Sequence, residues 1–154
     1  MADLKVTIKE SINLNNTAYG NTRTVTYSDI VDVYKRILTL TADTEVNLYT
    51  TAASQTEGSV MDKDSVKYVR ITNLESSTSI NVQITEGSSA GVTWFQILAG
   101  DSLLLGSHSS SMDTASAPLA LAGITLGDIT SVDASGAGDT AQVELFIAST
   151  ANAA

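Results

Sequence analysis

Apolar residues along this chain recur mostly at every second position, the spacing that gathers them on one face of a pleated strand. Val6, Ile8 and Ile12 open one such run, interrupted in phase at Glu10; Val25 and Tyr27 belong to a second, and Val31 and Val33 to a third. Leu38 and Leu40 fall in the opposite parity from Val31 and Val33. The Ile30 to Thr41 region therefore reads as a strand with a bulge, a strand that changes faces, or a short helix over Asp29 to Arg36.

The middle of the chain is more regular. Val66, Tyr68, Val69 and Ile71 form a β-rich segment, Asn73 to Ser79 supplies a polar turn, and Ile80, Val82 and Ile84 alternate with Asn81 and Gln83. The pattern predicts a hairpin here. Val92 to Leu98 and Leu103 to Leu105, separated by the Ala99-Gly100-Asp101 turn, carry apolar groups on both faces, as expected near a sandwich core or a subunit contact. A Ser-rich connection from Gly106 to Pro118 reads as a mobile loop. Strand-like material from Ile124 to Val132, a Gly-containing turn from Asp133 to Asp139, and a terminal strand of Val143, Leu145 and Ile147 follow.

About eight to ten short strands with no βα alternation predict an all-β antiparallel sandwich. A jelly roll accommodates that number in two Greek keys and is preferred over an immunoglobulin-like topology, whose Cys and Trp landmarks are missing. Residues 1–148 read as a single β-sandwich assembly domain and residues 149–154 as a short flexible tail.

Composition narrows the functions. The formal charge is −9, and beyond Arg70 the chain has eight acids and no Lys or Arg, which disfavours direct nucleic-acid binding. The absence of Cys removes disulfides, thiolate metal sites and cysteine nucleophiles. The start lacks the basic region and apolar run of a secretory signal, and the longest apolar stretch, Ala117 to Leu126, is too short for a membrane helix, so neither signal-directed export nor membrane association is expected.

Candidate chemistry is sparse. His108, the single histidine, lies near Ser107, Ser109, Asp101 and Asp113, but proximity in sequence does not build a nucleophile, base and orienting acid. Asp62 with Asp64, or Asp133 with Asp139, could offer oxygens to a hard cation, yet neither has the spacing of a calcium-binding loop. Glu57 with Asp62 or Asp64 would need a glycosidase separation of about 5.5 Å or 6.5–9.5 Å, which sequence spacing does not supply. No phosphate-binding loop, dinucleotide fingerprint or His-based metal motif occurs, so no enzyme activity, cofactor or metal is expected. Asn15-Asn16-Thr17 matches a glycosylation acceptor and equally a polar turn. Trp94 and Phe95 are neighbours on one strand and point to opposite faces, so one can serve the core while the other meets a subunit or a sugar. With Leu103 and Leu105 they are the candidate protein-interface residues.

Lys67 to Leu74, Ile80 to Ile84, Ala99 to Leu105 and Gln142 to Ala148 make a further pattern. A strand ends in a Thr-Asn turn, a partner strand follows, an Ala-Gly-acid turn precedes a Leu-rich strand, and an amphipathic strand closes the chain. In this pattern the chain resembles small β-sandwich virion structural proteins of tailed bacteriophages, which include head-decoration and accessory capsid components. The resemblance implies a noncatalytic protein that binds a repeated protein lattice, with capsid decoration or stabilisation first and a tail, fibre or baseplate position next. It implies partners among phage capsid or other virion proteins, a homo-oligomer with a trimer preferred, synthesis in the host cytoplasm and residence in the virion. From the residues alone, a carbohydrate-binding module using an exposed Trp94 or Phe95 is the other reading.

Overall fold

The computed structural model describes residues 1–56, 58–87, 91–106 and 128–151, and the regular structure among them is all strand. The chain up to Ile30 makes a long ribbon: β1 (Ala2–Lys9), β2 (Ile12–Leu14), β3 (Thr17–Tyr19) and β4 (Thr22–Ile30). β1 pairs antiparallel with β4, and β2 with β3. Asn15 and Asn16 turn the ribbon with φ of 49° and 64°. Two successive positive φ values belong to the tight turn whose twist matches that of the flanking strands, and Asn tolerates them better than most residues. The ribbon is pinched at Gly20, where a Cβ would stand 2.2 Å from the Glu10 carbonyl oxygen. At its base the register slips between Ala2 and Leu4, opposite Asp29 with φ 61°, and this bulge bends the chain into the sandwich.

The remaining strands are β5 (Asp32–Leu40), β6 (Val46–Ala52), β7 (Val60–Asp62), β8 (Val66–Asn73), β9 (Ile80–Glu86), β10 (Val92–Ile97), β11 (Ser102–Leu105), β12 (Ile129–Gly136) and β13 (Ala141–Ser149). They form a five-stranded sheet in the order β10-β9-β12-β6-β7 and a four-stranded sheet in the order β11-β8-β13-β5. All neighbours are antiparallel except β6 and β7. One core lies between the sheets. Leu48, Ile80, Val82, Ile84 and Val132 enter it from the five-stranded sheet, and Leu40, Val69, Ile71, Val143, Leu145 and Ile147 from the other. Each such side chain contributes about 1.5–3 kcal/mol by leaving water. The expected antiparallel all-β sandwich is therefore present.

The predicted hairpin between residues 66–72 and 80–84 is not. β8 lies in the four-stranded sheet and β9 in the five-stranded sheet, so their connection crosses the core; the hairpin partner of β9 is β10. Period-two alternation tells which face of a strand is buried, but the inner faces of two opposed sheets carry the same pattern. Asn73 organises the crossing. Its buried amide divides its protons among the carbonyls of Thr78, Ile97 and Leu98 at 2.8, 3.2 and 3.1 Å, while its oxygen accepts from the Glu75 N–H at 3.0 Å.

No helix spans residues 29–36, and β5 itself carries no bulge. β5 pairs with β13 from Asp32↔Ser149 to Leu40↔Ala141 without a register shift. The parity conflict arises because the strand is apolar on both faces: Leu38 and Leu40 face the core, whereas Val33 and Ile37 stand on the outer face, Ile37 61% exposed. The turn placed at Asp133 starts later, because Asp133 to Gly136 complete β12. Gly138 supplies its positive φ of 77°, while Gly136 is required by close approach of the Asp139 carbonyl. Ser149 belongs to β13, and the Thr150 N–H donates to the Ser65 carbonyl at 3.0 Å.

Candidate functional site

β10 is an edge strand of the five-stranded sheet, and register with β9 fixes where its side chains point. Phe95 opposes buried Val82 and Trp94 opposes Gln83, so Phe95 lies on the inner face and Trp94 on the outer. Neither is buried: Phe95 is 37% and Trp94 58% exposed, because the edge position leaves one flank of each uncovered. The expectation that one of the pair fills the core gives way to two accessible aromatics. Trp94 borders a groove of about 170 Å³ with Asp43, Glu45, Gln83 and Asp133. Asp133 is held there by the Asn47 amide at 2.7 Å and the Ser131 hydroxyl at 2.8 Å, and Asp43 accepts the Gly138 N–H at 3.0 Å.

Leu103 and Leu105 oppose Ile71 and Val69 on β8 and pack partly buried against the core, so they support the sandwich from its edge. The outward apolar residue of β11 is Leu104, exposed beside the ribbon. The ribbon itself is the surface that alternation did not reveal. Its base packs on the outer face of the four-stranded sheet, where Leu4, Val6 and Tyr27 meet Tyr68, Ala148 and Phe146. The Tyr27 and Tyr68 rings lie 5.9 Å apart, and Phe146 meets Tyr68 edge-on at 6.1 Å. Beyond this base the ribbon is uncovered. Ile12, Leu14 and Tyr19 share one face of the tip, since Ile12 opposes Tyr19, and each is more than half exposed.

Beside the aromatic base lies a charged trio. The Glu144 carboxylate receives Lys35 at 3.0 Å and pairs with Arg70, whose guanidinium also lies 5.7 Å from the Phe146 ring. The Lys35 hydrogen bond leads in holding the Glu144 carboxyl below its ordinary range; partial burial opposes it, and Arg70 assists.

No protein-family model and no curated protein matches the chain. A solved structure described as "Bacillus endospore appendages form a novel family of disulfide-linked pili" is similar to it, with a TM-score of 0.40 and 15% identity over 80% of this chain and 89% of that one. This chain has no cysteine.

Most of the catalytic candidates fall outside the described residues. His108, Ser107, Ser109 and Asp113, with the rest of the Gly106 to Pro118 connection beyond Gly106, lie outside the described residues, as does Glu57. Among the described residues no group of three or more His, Asp or Glu is placed to hold a metal ion. Asp62 is a turn cap: it accepts the Asp64 N–H at 2.9 Å and the Ser65 hydroxyl at 2.8 Å. Desolvation pushes its carboxyl up, but these bonds and Lys63 outweigh it and leave it below its ordinary range. Lys63 bridges Asp64 at 3.0 Å and Asp128 at 3.1 Å, supplying the positive charge a cation would bring. Asp139 accepts the Thr140 N–H and is a turn residue. Among the described residues no helix is long and apolar enough to cross a membrane.

Proposed function

We propose that the protein is a noncatalytic structural component that works by assembly, as a virion protein that binds a repeated protein lattice, with capsid decoration or stabilisation as its place. The observation that carries this reading is the apolar surface left open on the ribbon tip, on the outer face of β5 and on β10, in a fold whose candidate acids are used as turn caps and strand ties. Monomeric proteins seldom leave such groups uncovered in clusters. Multiplicity supports retention on a lattice, because each attached subunit raises the local concentration of the next contact.

The strand order supports a jelly roll over an immunoglobulin-like topology. Outside the ribbon, successive described strands lie in opposite sheets except for β6–β7 and β9–β10, a pattern in keeping with two Greek keys. The resemblance to phage virion proteins supports synthesis in the host cytoplasm, residence in the particle, other virion proteins as partners and a trimeric state. Electron microscopy of intact particles tests the placement: density for this chain on the head is expected, density on the tail or fibre would move it, and absence from purified particles would overturn it. One observation favours a second reading. An exposed Trp94 in a groove with Asp43, Glu45 and Gln83 has the chemistry of a sugar platform, and quenching of Trp94, the chain's single tryptophan, by an oligosaccharide would support it.

A further inference from the structure

Charge is divided between the two parts of the molecule. Of the 17 acids only Asp3, Glu10 and Asp29 lie in the ribbon, which also holds Lys5, Lys9 and Arg23. From Lys5 to Arg23 the ribbon has three bases against Glu10 alone, whereas the sandwich carries the whole net negative charge of the protein. A cationic ribbon end with an uncovered apolar face complements an acidic groove that contains an exposed aromatic ring.

The two surfaces cannot meet within one chain. Tyr27 and Tyr68 hold the ribbon on the outer face of the four-stranded sheet. Trp94, Gln83 and Asp133 share the outer face of the five-stranded sheet, as their cross-strand pairing shows. These faces are opposite sides of the sandwich, so any contact between them joins different molecules. It also joins unlike surfaces, and a contact of that kind propagates head to tail into a ring or a filament.

We propose that the ribbon end of one copy, through Ile12, Leu14 and Tyr19 with Arg23, which shares a ribbon face with Ile8, docks in the Trp94 groove of a second copy, between Asp43, Glu45 and Gln83. This rests on the assembly reading above and names its partner. Glu45 has no partner among the described residues and is the natural counter-charge for a ribbon base. Trp94 offers its face to a guanidinium or to the Tyr19 ring.

Two full-length variants separate the halves of the contact. Tyr19→Asp blocks the ribbon and leaves the groove; Glu45→Lys combined with Asp43→Lys blocks the groove and leaves the ribbon. Both alter exposed positions, and circular dichroism matching the parent confirms that each folds. In sedimentation velocity the parent forms a defined oligomer, each variant alone associates about tenfold or more weakly, and the two mixed give a dimer through the one intact ribbon and the one intact groove. Variants that associate like the parent, or a mixture that stays monomeric, overturn the proposal. A parent that is monomeric at every concentration also overturns it, while particle occupancy, measured separately, still decides the virion reading. Because the chain has no cysteine, Tyr19→Cys with Gln83→Cys in one chain gives a second readout. Oxidation yields a ladder of linked copies if the surfaces meet, and linkage absent from oligomeric protein overturns the contact. Trp94 emission that responds to an oligosaccharide and not to self-association assigns the groove to sugar and overturns the proposal as well.

Discussion

The ribbon and the sandwich are made of the same kind of strand, and they place their apolar residues differently. In β9, Ile80, Val82 and Ile84 are almost wholly buried between two sheets, and a polar residue on the outer face separates each from the next. In β1 and β2, Ile8 and Ile12 alternate with polar neighbours in the same way, yet each is at least half exposed. The sandwich has an opposing layer. Among the described residues the ribbon has one only at its base, where Tyr27 and Val6 reach the outer face of the four-stranded sheet. Alternation thus marks a face that needs covering without saying whether the same chain covers it.

The contrast is sharpest at matched substitutions. Val82→Asp places an unpaired carboxylate at a fully buried position and is expected to cost more than about 4 kcal/mol, enough to prevent folding. Asn81→Asp beside it, and Ile12→Asp on the ribbon, are expected to change stability by less than about 0.5 kcal/mol. Chemical denaturation of the three would show the ladder, and an Ile12→Asp loss comparable to that of Val82→Asp would mean that the ribbon is part of the cooperative core.

Next in size is Asn73→Ala. It strands buried carbonyls at the crossing between β8 and β9 and is expected to cost about 2–3 kcal/mol, read as a fall in the denaturation midpoint. Tyr27→Ala, which removes an aromatic contact at the ribbon base, is expected to cost about 1 kcal/mol. Its signature is selective: amide exchange accelerates in β1 and β4 and stays slow in β13. Equal acceleration in both would join ribbon and sandwich into one unit.

The smallest effect is electrostatic. Glu144 is depressed in the folded protein, so its contribution is present above the ordinary glutamate range and is lost as pH falls through its lowered folded value. Glu144→Gln should flatten the acid side of the stability profile and leave its slope near neutral pH unchanged. An unaltered acid limb would show that the trio with Lys35 and Arg70 contributes nothing measurable.

Much of the sandwich was legible in the sequence because inward residues such as Val143, Leu145 and Ile147 alternate without interruption. Sheet membership was not, since β8 and β9 show the same alternation on opposite sides of one core. Ile37 and Leu38 disguised a regular strand, because a strand apolar on both faces has no parity to read. Trp94 and Phe95 were found as a pair; their exposure depended on β10 lying at an edge, a property of strand order. The ribbon had a local signal in Asn15-Asn16 flanked by short β segments, but its separation from the sandwich came from packing between distant residues such as Tyr27 and Tyr68.

The pairing of β5 with β13 ties Asp32 to Ser149, across about three-quarters of the 154-residue chain. During synthesis β5 emerges early and must wait for β13, holding its apolar inner face open while the intervening residues are made. Loop closure over such a distance precedes its reward, so folding is governed by non-local contacts and falls among the slow β topologies, on the order of milliseconds to seconds. A nascent copy is therefore most exposed to mispairing until β13 has emerged, and a truncation that removes β13 leaves β5 without a partner in its sheet.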